Sequence, residues 1–272
     1  MQKVYVGMSG GVDSSVTAAL LKQQGYDVTG VYMKNWSKDL PGFACPWKQD
    51  YQDAKRVAVQ LDIPFKMYDF EKEYRQKVVD YMVQGYQAGI TPNPDIMCNQ
   101  EVKFKLFLEA ALADGADMIA TGHYARIQNG QLKAGLDANK DQSYFLYRVT
   151  EDALQKSLMP IGELSKPEVR AQAAKMGLAT ADKKDSQGIC FVGKVGIKDF
   201  LLAELGPQKP GNLLDQRGKV IGQHDGALFY TIGQRSGLGV GGGLPYYVTG
   251  KDMARNEVYV TTDLADPALW RK

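Results

Sequence analysis

The run Ser9-Gly10-Gly11-Val12-Asp13-Ser14-Ser15 gathers two glycines, three hydroxyls and one carboxylate into seven residues. It follows the apolar run Val4–Met8 and precedes the helix-like stretch Val16–Leu21. The order is therefore strand, glycine turn, helix. Glycines let backbone N–H groups close around an anion, and a helix start adds the positive end of its dipole. A phosphate or pyrophosphate suits such a place, so the loop points to nucleotide chemistry. The lysine that follows the second glycine of a Walker loop is missing, and so is a G-x-G-x-x-G dinucleotide fingerprint. A plain glycine turn with a serine cap is the alternative, and the agreement of strand, turn and helix argues against it.

Two cysteines stand in polar, turn-rich settings. Cys98 lies in Thr91-Pro92-Asn93-Pro94-Asp95-Ile96-Met97-Cys98-Asn99. The two prolines stiffen this stretch and set Asp95 and Cys98 just before a helix expected over about 102–113. A thiol near a helix start is expected to hold more thiolate, and Lys103 and Lys105 add positive charge. The competing reading is a buried structural cysteine. Cys190 lies in Lys183-Lys184-Asp185-Ser186-Gln187-Gly188-Ile189-Cys190-Phe191, which also suits an accessible, activated thiol. Together the two suggest a pair of working thiols. In Lys140-Asp141-Gln142, either Lys140 or Asp141 is placed to face phosphate or RNA, or the stretch is simply a charged loop. His123, in Thr121-Gly122-His123 at a strand end, reads as a positioning residue. The glycine run 237–243 has no strand–helix frame and is not a dinucleotide loop; with Gln234 and Arg235 it reads as a loop touching substrate backbone.

Strands are expected at 3–8, 27–33, 65–70 and 117–120, with a helix from about 16 to 25 and others near 51–61, 71–88, 102–113, 166–176 and 197–205. This alternation gives an α/β fold, a parallel sheet with helices on both faces, whose ligand sits beyond the carboxyl ends of the strands. Both Ser9 and Thr121-Gly122-His123 fall at such ends. After Gly206-Pro207-Gln208-Lys209-Pro210-Gly211 come short β-like runs at 213–214, 220–221, 228–230, 246–248 and 258–260. The expected division is a catalytic domain over 1–204, a small mainly β domain over 205–263 and a tail over 264–272.

The chain has 272 residues, 44% hydrophobic and 24% charged, with a formal net charge of +2. That is a folded protein whose global charge does not announce nucleic acid. No apolar run is long enough to cross a membrane, and a cytoplasmic location is expected. Three cysteines, Cys45 among them with no role assigned, make neither a disulfide framework nor a structural zinc set.

The loop over 7–15, the Pro92–Asn99 segment, Ala120-Thr121-Gly122-His123-Tyr124, 139–146, 185–191 and Tyr230-Thr231-Ile232-Gly233-Gln234-Arg235 together resemble the tRNA-specific 2-thiouridylases of the MnmA type, and the resemblance covers the whole chain. It implies a Rossmann-like parallel sheet of the N-type ATP pyrophosphatase (PP-loop) class. The implied reaction adenylates the C2 oxygen of the wobble uridine in tRNAs for Lys, Glu and Gln. A cysteine persulfide then supplies sulfur, giving 2-thiouridine, AMP and pyrophosphate. On this resemblance ATP is held by Gly7, Met8, Ser9, Gly10, Gly11, Val12, Asp13, Ser14, Met33 and Gly122, with Asp13 also on Mg2+. Cys98 is the nucleophile, Cys190 the persulfide carrier and Asp95 the acid/base. Asn93, Pro94 and Asp95 shape the base pocket, and Lys140, Asp141 and Gln142 touch tRNA. The implied partners are tRNA and a sulfur donor, either a cysteine desulfurase or a relay protein; a monomer is expected. Members of the family usually continue into a further β-barrel, so weaker tRNA binding than in such relatives is expected here. The alternatives are a form that binds ATP and tRNA weakly with little activity, or another AMP-forming PP-loop ligase.

Overall fold

The computed structural model describes residues 1–40, 42, 44–185, 196–241 and 243–270. They form two compact units, one from Met1–Val78 and Pro94–Lys194, the other from Val79–Asn93 and Val195–Lys272.

The first unit is built on five parallel strands in the order β3-β2-β1-β4-β7: β1 (Lys3–Gly7), β2 (Asp27–Lys34), β3 (Phe65–Asp69), β4 (Met118–Ala120) and β7 (Ser157–Leu158). Central β1 shows why the sheet forms. Its alternation sends Val4 and Val6 to a core shared with Val16, Ala19, Val57 and Val169, and Tyr5 to one shared with Phe107, Ala111 and Ile119. Both faces are thus covered, as a parallel sheet requires. The first core is supplied by α1 (Val12–Gln23), α2 (Trp47–Gln60) and α8 (Lys166–Lys175), the second chiefly by α6 (Phe107–Ala113). A reciprocal Ser165–Glu168 capping box starts α8. A hairpin of β5 (Ala125–Gln128) and β6 (Gln131–Ala134), turned by Asn129 and Gly130 at positive φ, was not expected from the sequence.

The chain builds β1, β2 and β3 outward in one direction and then returns to place β4 on the other side of β1. The crevice at the carboxyl ends of β1 and β4 is therefore the switch point where open α/β sheets bind ligands.

The helix expected from Val102 begins earlier. Helical backbone starts at Pro94 with α5 (Pro94–Met97), passes through a π-helix over Cys98–Leu106 and continues into α6. Proline at the first helical position forgoes only an N–H that has no helical partner there. A second π turn, Arg75–Val79, follows α3 (Glu71–Tyr74).

The second unit carries a four-stranded sheet in the order β10-β11-β8-β9, from β8 (Gly211–Leu214), β9 (Val220–His224), β10 (Tyr247–Asp252) and β11 (Glu257–Thr261). Leu213, Val248, Val258 and Val260 fill its core. The strand expected at 228–230 is instead a 3-10 turn, Ala227–Phe229. Gly226 turns the chain at φ 134°, and the Ala227 N–H is spent on Asn256 Oδ1, which removes it from any ladder. No helix among the described residues is long and apolar enough to cross a membrane.

Candidate nucleotide and thiol site

Residues from three strand ends meet at the switch point. A Cβ on Gly7 would lie 3.0 Å from Met33 Cε, and one on Gly122 would lie 2.8 Å from the Ser14 nitrogen and 2.9 Å from the Asp13 carbonyl carbon. The segment after β4 therefore presses bare backbone against the first turn of α1. Gly10, at φ 77°, has a Cβ position only 2.3 Å from the Asp50 carbonyl oxygen, so α2 closes the loop from another side. Ser9 Oγ and Ser14 Oγ lie 3.3 Å apart, and Ser14 Oγ also accepts the Ser9 N–H. Gly11 caps α1 in extended backbone without a side-chain hydrogen bond, leaving the first N–H groups of the helix to an anion. A tight backbone cradle with hydroxyls at its rim fits a nucleotide's phosphates. Gly7, Met8, Ser9, Gly10, Gly11, Val12, Asp13, Ser14, Met33 and Gly122 all belong to this one unit.

Asp13 is not a bare carboxylate. Lys166 Nζ stands 2.7 and 2.9 Å from its two oxygens, and Tyr124 Oη donates to it at 2.9 Å. Lys166 also meets Asp185 at 2.8 Å, and Asp185 takes Arg170 at 2.7 Å and Lys140 at 3.1 Å. Burial works to raise the Asp185 carboxyl, but hydrogen bonds from Lys166 and Lys140 outweigh it and hold it below its ordinary value. Asp137 also accepts the Lys166 N–H at 2.9 Å, so the lysines and Arg170 stand among carboxylates beside the cradle, where their charge can meet phosphate. A single carboxylate next to a phosphate site also suits Mg2+, which binds through one or two carboxylates and takes its remaining oxygens from phosphates and water. On that donor chemistry Asp13 is the residue that would hold the metal. Sequence reasoning missed Lys166 and Tyr124, since each is far from the loop along the chain.

Of the three residues expected to touch tRNA, each has a local partner. Lys140 reaches Asp185; Asp141 accepts from Gly135 N at 2.9 Å and Ser143 Oγ at 2.8 Å; Gln142 Oε1 accepts from Tyr124 N at 3.0 Å. Asn93 is exposed at the end of the 79–93 segment, and Pro94 is buried at the start of α5.

Cys98 is 5% exposed and lies inside the helical run, not ahead of it. Burial therefore pushes its thiol above the ordinary value; the Lys103 charge and a Tyr74 hydrogen bond act the other way, and Asp95 adds to the rise. Asp95 is itself raised by burial and lowered by Lys103, which suits a group that must both hold and release a proton. Neighbouring Asn99, 2% exposed, donates to the Phe145 carbonyl at 3.2 Å and leaves its buried Oδ1 without a partner among the described residues. The lysine pair divides: Lys105 turns to Glu101 at 3.2 Å, whereas Lys103 reaches His123 Nε2 at 3.5 Å. Cys190 lies outside the described residues. Cys45 is half-buried, and its backbone N–H donates to Asp39 Oδ1 at 2.8 Å.

His123 is buried, with Nδ1 2.8 Å from Thr121 Oγ1. Burial first and the Lys103 charge second push it well below 6.5, so it stays neutral. The unfolded chain takes up a proton as pH falls through 6.5 and the native one does not, so the native state loses stability from there toward its depressed value. The urea midpoint should drop between about pH 7 and about pH 5.5, less steeply in His123→Asn, with His224 supplying a smaller share. Parallel curves for the two proteins would contradict this.

Residues 2–194 match the tRNA methyl transferase HUP domain family, and residues 198–262 the tRNA methyl transferase PRC-barrel domain family. The chain is 53% identical to the tRNA-specific 2-thiouridylase MnmA of Bacillus subtilis over 98% of its own length and 73% of that protein's. It is 52% identical to the protein of the same name from Streptococcus sanguinis, over 95% of this chain and 72% of the other. Among solved structures it is similar to a 4-thiouridine synthetase–RNA complex with bound ATP, at 15% identity and a TM-score of 0.45 over 72% of this chain and 46% of that one. Sharing about half its residues with these relatives over nearly its whole length, and carrying both domain families in order, the chain belongs to the family of tRNA-specific 2-thiouridylases of the MnmA type.

Proposed function

We propose that this protein is a tRNA sulfurtransferase that places sulfur on C2 of the wobble uridine of tRNAs for Lys, Glu and Gln, using ATP and Mg2+ and releasing AMP and pyrophosphate. The observation that carries the reading is that one compact unit holds both the phosphate cradle and the Asp95–Cys98 helix, in a chain of this family. ATP supplies the activation that turns the C2 oxygen into a leaving group. The cradle residues 7–14 with Met33 and Gly122 bind it, and Lys166 and Asp13 set the charge around its phosphates. Asp95, whose carboxyl burial pushes up, manages the proton at the base, and Asn93 and Pro94 shape its pocket. The uridine must leave its stack to reach these groups. The Cys98 thiolate attacks the inner sulfur of a Cys190 persulfide; hydrosulfide leaves to displace AMP from C2, and a Cys98–Cys190 disulfide remains until an external dithiol reduces it. The persulfide comes from a cysteine desulfurase or a relay protein. A monomer in the cytoplasm, with catalytic residues in 1–204 and RNA contacts from Lys140, Asp141, Gln142 and the β-rich part over 205–263, completes the reading.

Radiolabelled ATP tests it. AMP should appear in place of ADP, and only when a tRNA with uridine at the wobble position is present. ADP as product, or AMP at the same rate without tRNA, would overturn the reading.

A further inference from the structure

The π-helix over Cys98–Leu106 changes which side chain accompanies Cys98. In an α-helix with 3.6 residues per turn, the residue five positions on lies about 140° around the axis, on another face. A π-helix bonds i to i+5, so its wider turn brings that residue round toward the face of the first. The wider ladder is visible at its end, where the Phe107 N–H bonds to the Val102 carbonyl. The residue five positions after Cys98 is Lys103. Its ammonium lies 3.5 Å from His123 Nε2 and its charge bears on both Asp95 and Cys98, while Lys105, two residues on, is spent on Glu101. One cation thus serves a carboxyl, a thiol and an imidazole.

We propose that Lys103 is a positioning residue for sulfur transfer: carried into the Asp95–Cys98–His123 group by the π-helix, its ammonium works against the burial of Cys98 and favours the thiolate that attacks the persulfide. The proposal rests on Cys98 being the attacking thiol, as read above. The groups that bear on the Cys98 sulfur are Asp95 from α5, Tyr74 from α3, His123 after β4 through its contact with Lys103, and Lys103 itself. Asp95 opposes the thiolate, Tyr74 can donate to it, neutral His123 adds no competing charge, and the Lys103 ammonium favours it.

The test titrates Cys98 without any tRNA, so it stands or falls separately from the proposed activity. Full-length protein carrying Cys45→Ser and Cys190→Ser leaves Cys98 as the single thiol, and its 13Cβ shift is followed against pH after cysteine labelling. Lys103→Met should move the midpoint up by about one unit, the scale of losing one nearby opposite charge, and Lys103→Arg should restore it to within a few tenths. A second measurement covers a variant too fragile for high pH: the ratio of alkylation rates by anionic iodoacetate and neutral iodoacetamide. It should fall severalfold in Lys103→Met or Lys103→Gln and be retained in Lys103→Arg. A change of access alone moves both reagents together and leaves the ratio fixed. A Lys103→Met midpoint and ratio equal to the parent's, or a Lys103→Arg protein as displaced as Lys103→Met, would overturn the proposal.

Discussion

Cys98→Ser abolishes 2-thiouridine formation when sulfur arrives as a persulfide, and retains much of it when free sulfide is supplied. The proposed chemistry requires this split. A serine hydroxyl cannot cleave a persulfide S–S bond, so no hydrosulfide is released; with sulfide in solution that step is bypassed, while the phosphate cradle and Asp95 stay intact. With a cysteine desulfurase and cysteine as the source, the rate should fall at least about a thousandfold, the scale on which loss of a covalent nucleophile is felt. With sulfide the loss should stay within about tenfold, because one buried sulfur-to-oxygen change perturbs packing only modestly. The site is 5% exposed, so a thermal unfolding curve accompanies the assay to show that the variant folds. Equal losses with both sources would assign Cys98 a structural role and reject its role as nucleophile.

Adjacent glycines in the phosphate cradle should respond very unequally to the same substitution. Gly10 has φ 77°, and a Cβ there would sit 2.3 Å from the Asp50 backbone oxygen, which belongs to α2 and cannot swing aside. Left-handed backbone alone costs about 1–2 kcal/mol for an L-residue, and the clash adds to it. Gly11 has φ −93°, and its nearest neighbour would be Ser9 Oγ at 3.5 Å, ordinary contact with a side chain that can move. Gly10→Ala should therefore lose at least about 2 kcal/mol of stability, in the range of the larger single-site effects, and at least about tenfold in ATP affinity by calorimetry. Gly11→Ala should fold with its stability changed by less than about 1 kcal/mol. Similar losses in both variants would mean that the loop does not adopt this geometry.

The parts of the molecule legible in sequence are those whose signal is local. Glycines and serines between an apolar run and a helix disclose a phosphate loop because turn, cap and dipole all act within a few residues. The parallel sheet followed from the alternation of buried runs with amphipathic ones; four of its strands lie within about a residue of the expected bounds, and the fifth, β7, was not expected. Lys166 and Tyr124 were invisible, because their roles exist only once the fold carries them 153 and 111 residues back to Asp13. The π-helix left no mark either: no residue type in Cys98–Leu106 demands five-residue hydrogen bonding. The expectation that Cys98 gains acidity from a helix start therefore fails, since Pro94 opens the helix one turn earlier and leaves the thiol buried within it. Likewise 228–230 looks like a strand until Gly226 and Asn256, neither part of the run, bend it into a turn. Charge at the site was half legible. The sequence read Lys140 as facing phosphate or RNA and Lys183 and Asp185 as neighbours of Cys190; only the fold shows that Asp185 joins Lys140, Arg170 and Lys166 while Lys183 reaches Asp50 and Asp53 on α2.

The central claim is that one chain couples an ATP-derived AMP to the exchange of oxygen for sulfur on a tRNA base. Its most direct test is nucleoside mass spectrometry of a wobble-uridine tRNA for Lys, incubated with the protein, Mg-ATP, a cysteine desulfurase, cysteine and a dithiol, with AMP counted in the same tube. The account predicts 2-thiouridine and AMP formed in equal amounts, both absent without ATP. AMP formed with no 2-thiouridine, or 2-thiouridine formed with no AMP, would contradict it.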